Sequence, residues 1–531
     1  MMKQNLLYGI LFLYGSVWAQ QIPEDAIRAS EKIQKNAIRA HMRYLADDLL
    51  EGRKPFTRGY HLASRYVASQ FEEIGLKPGV GDSSYFQSVS IYKNKSTVSG
   101  SLILKNNGEI KHLMPGRDFL LVSEPEGMES KEMEIVFGGI GVQDPSLDYQ
   151  DMENLNVKNK YVILFYWHPD DRSLQLSLKH MDNQRILRLK KAGAAGVILY
   201  IPPNDQPKFT WERFKYYFSR ERFKSTYLDL PVLLIDWEII NFLFHSAEFS
   251  LDSYVNGNAL PYQYHLNASL NPDIQIETDY EISESLNVLG YLQGSDPVLS
   301  NEYMVYTAHL DHEGIGRPIE GDSIYNGAYD NASGIAIMLE IARAFSELRV
   351  PPKRSVLFIA LTAEEMGLLG SEYFVNHPTV ELENMVASLN LDMFLMEKPL
   401  TEIVLLGEDL SGLGPLAHHV CQKLKVTAVP DPLPEENIFL RSDHINFVKK
   451  GVPSLFLVNS FQKSTSLDEN TDVNYRWLKT LYHTPLDNFR EDIYFEAGVT
   501  FGQINFLTGY LVAELKDRVH WNFDFVEENS R

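Results

Sequence analysis

At 531 residues, 44% of them hydrophobic and 23% charged, the chain is globular and too long for one ordinary domain, so two are expected. A formal net charge of −22 with no basic cluster argues against nucleic acid or an anionic membrane as partner, since either would require a basic face. The single cysteine, Cys421, excludes an internal disulfide and reads as a buried small apolar residue in a helix.

Residues 1–19 have the pattern of a secretory signal peptide: Lys3 in a short n-region, an apolar run from Leu6 to Val17, and Val17-Trp18-Ala19 at the cleavage site. That run is shorter than the roughly 18 apolar residues of a membrane span, and no other segment is long enough. An exported protein, periplasmic or extracellular and without a transmembrane anchor, is expected. A first domain should begin over residues 20–127. Ile38, Met42, Leu45 and Leu49, then Ala63, Val67, Phe71 and Ile74 after a break at Gly59, recur at three and four and predict helices covering one face of a sheet. Thr97 to Leu121 alternates as edge strands would.

Residues 128–262 read as a second module inserted into the first. Strands are expected at Met133–Phe137, Tyr161–Tyr166, Gly196–Tyr200 and Val232–Ile235, with a helix at Gln184–Lys191. The module has no His and acid cluster at ligand spacing. Its aromatic group, Trp211, Phe214, Tyr216, Tyr217 and Phe218, is expected to be a packing surface, with a cap over a substrate cleft as the alternative.

The main domain resumes over 263–531, with a strand at Asn287–Leu292 expected to flank the next one. Three apolar runs then end in acidic or imidazole side chains. Tyr303–Ala308 leads to His309-Leu310-Asp311, Ser355–Leu361 to Glu364-Glu365, and Met385–Leu391 to Asp392, while Asp330-Asn331-Ala332-Ser333-Gly334 lies between the first two. Runs apolar on both faces suit central strands of a parallel sheet, and open α/β sheets place ligands beyond the carboxyl ends of such strands. A helix with Ile335, Met338, Leu339, Ala342 and Phe345 on one stripe, stopped by Pro351-Pro352, connects the first two runs. Ile403–Leu406, a helix at Leu413–Leu424 and Leu455–Val458 repeat the pattern, and an amphipathic helix over Tyr494–Leu515 closes the chain. The fold class is therefore α/β: a mixed, largely parallel central sheet with helices on both faces, plus a smaller β-rich inserted domain.

Imidazole nitrogen with carboxylate oxygen is the donor set of a divalent cation, and two such cations can share one bridging carboxylate and one water or hydroxide. Asp330 is well placed to be that bridge. His309 and Asp311, two apart on an extended chain, project to one side, so the Asp311 carboxylate is expected to hold the imidazole from behind. Of the adjacent glutamates, Glu365 is expected to ligate and Glu364 to act as general base. Taken singly, each of these segments is an ordinary strand end or helix start. Their order and placement, with a fifth candidate at His483, are what point to a two-metal site.

The segments His309-Leu310-Asp311, Asp330 to Gly334, Thr362 to Ser371, Asn390-Leu391-Asp392 and Tyr482-His483-Thr484-Pro485, with Ser442-Asp443-His444 and Gly451-Val452-Pro453, resemble the secreted zinc-dependent exopeptidases that include bacterial leucyl aminopeptidases and plasma glutamate carboxypeptidase. The resemblance implies two zinc ions: His309 and Asp392 on one, Glu365 and His483 on the other, Asp330 bridging and Glu364 as base. Ala192 to Ile198 with Leu230-Pro231-Val232-Leu233 is similar to the protease-associated domain of exported peptidases.

Peptides are the implied substrates, cleaved at a terminal residue, with an aminopeptidase preferred over a carboxypeptidase or dipeptidase. Tyr482, beside His483, would donate its hydroxyl to the tetrahedral oxyanion, and Arg441, Asp443 and His444 would orient the substrate terminus. A two-zinc deacetylase-type amidohydrolase is disfavoured because Asp392 follows Glu365 too closely for a lid domain between them. A glutaminyl cyclase of the same fold fits the Asp-Asn-Ala-Ser-Gly stretch less well. A receptor-like binding protein would have lost ligands, and none is missing.

Overall fold

The computed structural model describes residues 21–522, apart from residues 82, 124, 126–127, 142, 145–148, 151–154, 167–183, 202–210, 213, 216–221, 225–228, 245–263 and 463–470. The proposed signal segment lies outside them. The chain forms two compact units. One contains the described residues up to Ile91 and from Ser283 onward; the other is Tyr92–Ile282, wider at both ends than the 128–262 read from the sequence.

In the larger unit a short helix, Glu24–Ser30, precedes α1 (Lys35–Leu45) and α2 (Arg58–Ile74). Thr57 caps α2 by accepting the Tyr60 N–H at 3.3 Å, and Gly75, at φ 88°, ends it. The break expected at Gly59 falls earlier, in the irregular turn Asp48–Arg53, and Gly59 lies in the first turn of α2. A Cβ there would stand 1.8 Å from the Leu50 carbonyl oxygen, so glycine is required by close approach, not by a chain break.

The carboxyl end of β1 (Tyr264–Leu292) enters this unit's sheet, followed by β2 (Tyr303–His309), helix α3 (Gly334–Ser346), β3 (Ser355–Leu361), β4 (Met385–Asn390) and β5 (Glu402–Leu406). Helix α4 (Leu413–Leu424), β6 (Thr427–Val429), β7 (Ser454–Asn459) and α5 (Phe495–Glu514) complete it. The strand order is β6-β5-β7-β4-β2-β3-β1. Strands β7, β4, β2 and β3 are parallel, whereas β1 runs against β3 and the parallel pair β5 and β6 runs against β7, giving a mixed sheet. The strand expected to flank β2 pairs instead with β3, which separates the two.

Register sets the site. His309 lies opposite Leu361, and Thr307 opposite Asn390, so the three apolar runs end at one edge of the sheet. Every residue of β3 and β4 is buried. Helix α3 is buried on nearly all sides, not along a single stripe, and so is α5, where an amphipathic helix was expected. The cause is layering: α3 packs against the sheet, α1, α2 and α5, so it has no solvent face to keep polar. Even Glu340 is buried there, accepting the Gln34 backbone N–H at 3.0 Å and the Arg343 Nε–H at 3.2 Å.

In the smaller unit Met133–Phe137, Tyr161–Phe165, Gly196–Tyr200 and Val232–Ile235 pair in parallel in that order, and Phe119–Leu121 joins the last strand antiparallel. Helix Gln184–Lys191 places Ile186 and Leu189 in the apolar cluster on one sheet face, with Val162, Leu164 and Val197. Trp211 and Phe214 pack against the same cluster, and the Trp211 indole N–H donates to the Arg117 carbonyl at 2.9 Å. Tyr216, Tyr217 and Phe218 lie outside the described residues.

Candidate metal centre

Five side chains from five segments converge beyond the sheet edge. His309 ends β2 with its imidazole 1% exposed. Its Nε2 stands 3.1 Å from Asp392 Oδ1 and 3.2 Å from Asp330 Oδ1. On the other side His483 Nε2 stands 3.2 Å from Asp330 Oδ2 and 3.1 Å from Glu365 Oε2. The two oxygens of Asp330 thus face two different imidazoles. Ligands about 2.0–2.1 Å from a tetrahedral ion are separated by roughly 3.3 Å, so both groups have the chemistry and the spacing of a divalent cation site.

The sequence folds this way for local reasons. Asp330 sits in an irregular helical turn, Ala328–Ser333, whose Asp330–Asn331 peptide is cis. Asn331 is the stitch beside it: its side chain donates to the Leu391 carbonyl at 2.9 Å and accepts the Met393 N–H at 3.2 Å, gripping the chain on both sides of Asp392. A polar relay backs Asp392. Thr307 Oγ1 donates to Asn390 Oδ1 at 2.6 Å, Asn390 Nδ2 to Ser442 Oγ at 2.7 Å, and Ser442 Oγ to Asp392 Oδ2 at 2.5 Å.

Asp311 holds the imidazole of His309 differently from the expectation. The contact is to its main-chain carbonyl, 3.2 Å from His309 Nδ1, while its carboxylate is 3.9 Å away. That carboxylate turns instead to the next segment and accepts the backbone N–H groups of Glu364 at 3.1 Å and Glu365 at 3.3 Å. Two main-chain donors are a better match for a buried carboxylate than one imidazole nitrogen, and burial still raises its pKa to about 6.

Electrostatically the cluster is crowded with acid. Burial first, and then the charges of Glu365, Asp392 and Asp443, hold the Glu364 carboxyl well above the usual carboxylate range, against the pull of His309. Burial also acts on Asp330, but His309, His483 and His312 outweigh it and hold that group well below its usual range. So concentrated an acidic set, largely buried, is stabilised by cationic partners or by taking up protons.

Three contributors had no motif to announce them, and a fourth, Ser442, stood in a motif without a role of its own. His312 Nδ1 stands 2.7 Å from Glu365 Oε1. Asp487 accepts the backbone N–H groups of Tyr329 and Asp330, each at 3.0 Å. Arg53, fully buried, donates to the carbonyls of Leu310, Leu45, Asn326 and Gly327, tying the end of β2 to the turn before Asp330. Ser442 completes the set through its bond to Asp392. The one signal available was the His312 imidazole immediately after His309-Leu310-Asp311.

A cavity of about 290 Å³ opens onto His309, Asp330, Glu364 and Asp392, with Tyr482 and Arg441 in its wall. Leu433, Ile438, Phe456 and Leu478 supply an apolar lining. The Tyr482 ring stacks on His483 with centroids 3.9 Å apart, and burial together with Asp330 and Glu365 raises its phenol, which stays protonated. Arg441 is paired with Glu436 at 3.5 Å. Asp443 and His444, expected to orient the substrate, do not line the cavity. Both are fully buried, and neither the Asp443 oxygens nor the His444 ring nitrogens have a hydrogen-bond partner among the described residues. His444 lies between Phe439 and Phe456, ring centroids 4.6 and 5.0 Å away. Its surroundings are aromatic, so burial drives its pKa down to about 3.

Among curated proteins the chain is similar to Aminopeptidase NAALADL1 of Mus musculus (34% identical over 125 residues, 23% of this chain and 15% of the relative). It is also similar to Aminopeptidase YwaD of Bacillus subtilis (47% over 68 residues, 13% and 14%) and to leupeptin-inactivating enzyme 1 of Streptomyces exfoliatus (34% over 114 residues, 21% and 23%). The chain spans well under half the length of the curated relatives it matches. The solved zinc aminopeptidase BSAP from Bacillus subtilis aligns over 93% of this chain and 96% of its own, at 19% identity and a TM-score of 0.43. The model of peptidase family M28 matches residues 287–503. That span contains His309, Asp330, Glu364, Glu365, Asp392 and His483, and over it the chain is similar to peptidase family M28.

Proposed function

We propose that this chain is an exported two-zinc exopeptidase that removes residues from the amino terminus of peptides. The observation that carries the reading is Asp330, whose two oxygens each stand 3.2 Å from a different imidazole, with Glu364 beside them in the same cavity. The aminopeptidase names of relatives support the choice of terminus. Export rests on the pattern of residues 1–19. Among the described residues no helix is long and apolar enough to cross a membrane. For the smaller unit we propose a protease-associated domain, on its glycine-alanine turn and parallel strands.

His309, Asp392 and Asp330 Oδ1 would hold one ion, and His483, Glu365 and Asp330 Oδ2 the other. Zinc bound there would polarise the scissile carbonyl and ease loss of a proton from the attacking water. Glu364 takes that proton and delivers it to the leaving amine, a role that suits a carboxyl held above its usual range. Tyr482, protonated at the cavity wall, donates its hydroxyl to the developing oxyanion. The terminal side chain enters among Leu433, Ile438, Phe456 and Leu478.

A second reading has one observation in its favour: Arg441 and Lys479 both line the cavity and would suit a substrate carboxylate, as in a carboxypeptidase. The zinc-loaded protein should be offered one peptide free at both ends, N-acetylated, or C-amidated, with release of each terminal residue followed. Activity lost only on acetylation is the expected result. Loss only on amidation would establish the carboxypeptidase, and no cleavage by a protein holding two zinc ions would overturn both.

A further inference from the structure

We infer that His312 is a positioning residue that fixes which oxygen of Glu365 faces His483, and thereby sets the affinity of the ion held between those two residues. The inference rests on the two-metal reading above. A carboxylate on a free side chain turns easily, and Glu365 has two oxygens in different surroundings. Oε1 is 2.7 Å from His312 Nδ1, whereas Oε2 is 3.1 Å from His483 Nε2. If Nδ1 carries the proton, it donates to Oε1 and leaves Oε2 as the oxygen free to ligate.

The His312 imidazole is held where it is by its own surroundings. Its side chain is 0% exposed. Its backbone N–H donates to the Arg53 carbonyl at 3.4 Å, and the Arg53 guanidinium in turn donates to the Leu310 carbonyl at 2.9 Å. On another side the imidazole lies against Gly327, where a Cβ would come within 2.6 Å of His312 Cγ. It is packed against His483 edge to face, centroids 5.8 Å apart. His312 Nε2 is buried and has no hydrogen-bond partner among the described residues, so among them Glu365 is the one hydrogen-bond partner of the ring. The other proposed ion has a separate brace, Ser442 on Asp392, and is predicted to be insensitive to His312.

The test is zinc titration of metal-free protein by calorimetry, with a chromophoric chelator as competitor, in wild type, His312→Phe and His312→Asn. For His312→Phe the expected result is one ion bound as in wild type and the second weakened about 10- to 100-fold. His312→Asn, whose amide can donate from the Nδ1 position, should recover part of that loss. Two ions bound by His312→Phe with wild-type affinity would overturn the inference, as would equal weakening of both ions. If the phenyl ring does not fit and the variant misfolds, His312→Ala replaces it: tighter second-ion binding by Asn than by Ala supports the role, and equal binding refutes it. A wild-type protein that takes up a single zinc overturns the two-metal reading as well, and the wild-type titration alone reveals that case.

Discussion

Asp487 grips Asp330 by its main chain: a carboxylate four residues beyond His483 accepts the Asp330 N–H at 3.0 Å and the Tyr329 N–H at 3.0 Å. The loop that supplies one imidazole therefore also fixes the acid it faces. Asp487→Ala would leave two buried N–H groups without acceptors, each costing about 1–3 kcal/mol. Metal-free Asp487→Ala should be less stable than wild type by about 2–4 kcal/mol in urea, and Asp487→Asn, which keeps one acceptor, by less. Unchanged stability in Asp487→Ala would show that the loop finds other partners.

Glu364→Gln is nearly isosteric and leaves all the proposed metal donors in place. It should bind zinc as wild type does and lose about 10²- to 10⁴-fold in kcat, the usual contribution of a general base. Zinc content measured beside turnover separates loss of the base from loss of metal.

Tyr482→Phe keeps the ring that stacks on His483 and removes only the hydroxyl. A donor to the oxyanion is worth about 10²- to 10³-fold in kcat, with little change in KM. An unaltered kcat would restrict Tyr482 to a packing role.

His444 gives a pH dependence that does not involve the metal site. Its folded pKa, about 3, lies below the unfolded value of about 6.5, so between those limits the unfolded chain binds the proton first. Stability is fully present above pH 6.5 and falls as the pH drops, by about 1.4 kcal/mol per unit, or about 2 kcal/mol by pH 5. His444→Phe, whose ring suits the space between Phe439 and Phe456, should lose that slope. The check is the difference in unfolding free energy between the two metal-free proteins at pH 5 and pH 7.

The strands were legible because strands buried on both faces show as unbroken apolar runs. The Ser355–Leu361 and Gly196–Tyr200 segments are found as read. The groups brought together at the sheet edge were legible for the same reason: each follows a run whose end is easy to see. What escaped depends on partners far away in sequence. Asp487 acts on a backbone 157 residues earlier, and Arg53 on a carbonyl 257 residues later, and no local pattern marks either. Asp443 and His444 misled in the opposite sense, since two polar residues in a row suggest a wet surface, whereas the fold buries both and sets His444 between aromatic rings. The wider inserted unit escaped because Phe119–Leu121 is recruited by Val232–Ile235, more than a hundred residues on.

The hydrogen bond from Ser442 to Asp392 has its own bearing on ion selectivity. With Oδ2 occupied by Ser442, Asp392 can present a single oxygen; Glu365 is similarly engaged by His312, and Asp330 divides its pair. Each of the two proposed ion positions would thus be offered two oxygens and one nitrogen by these residues, a low denticity with room for substrate. Calcium, which takes about 6–8 oxygen ligands, is poorly served by such a set, and a small ion content with four or five neighbours is favoured.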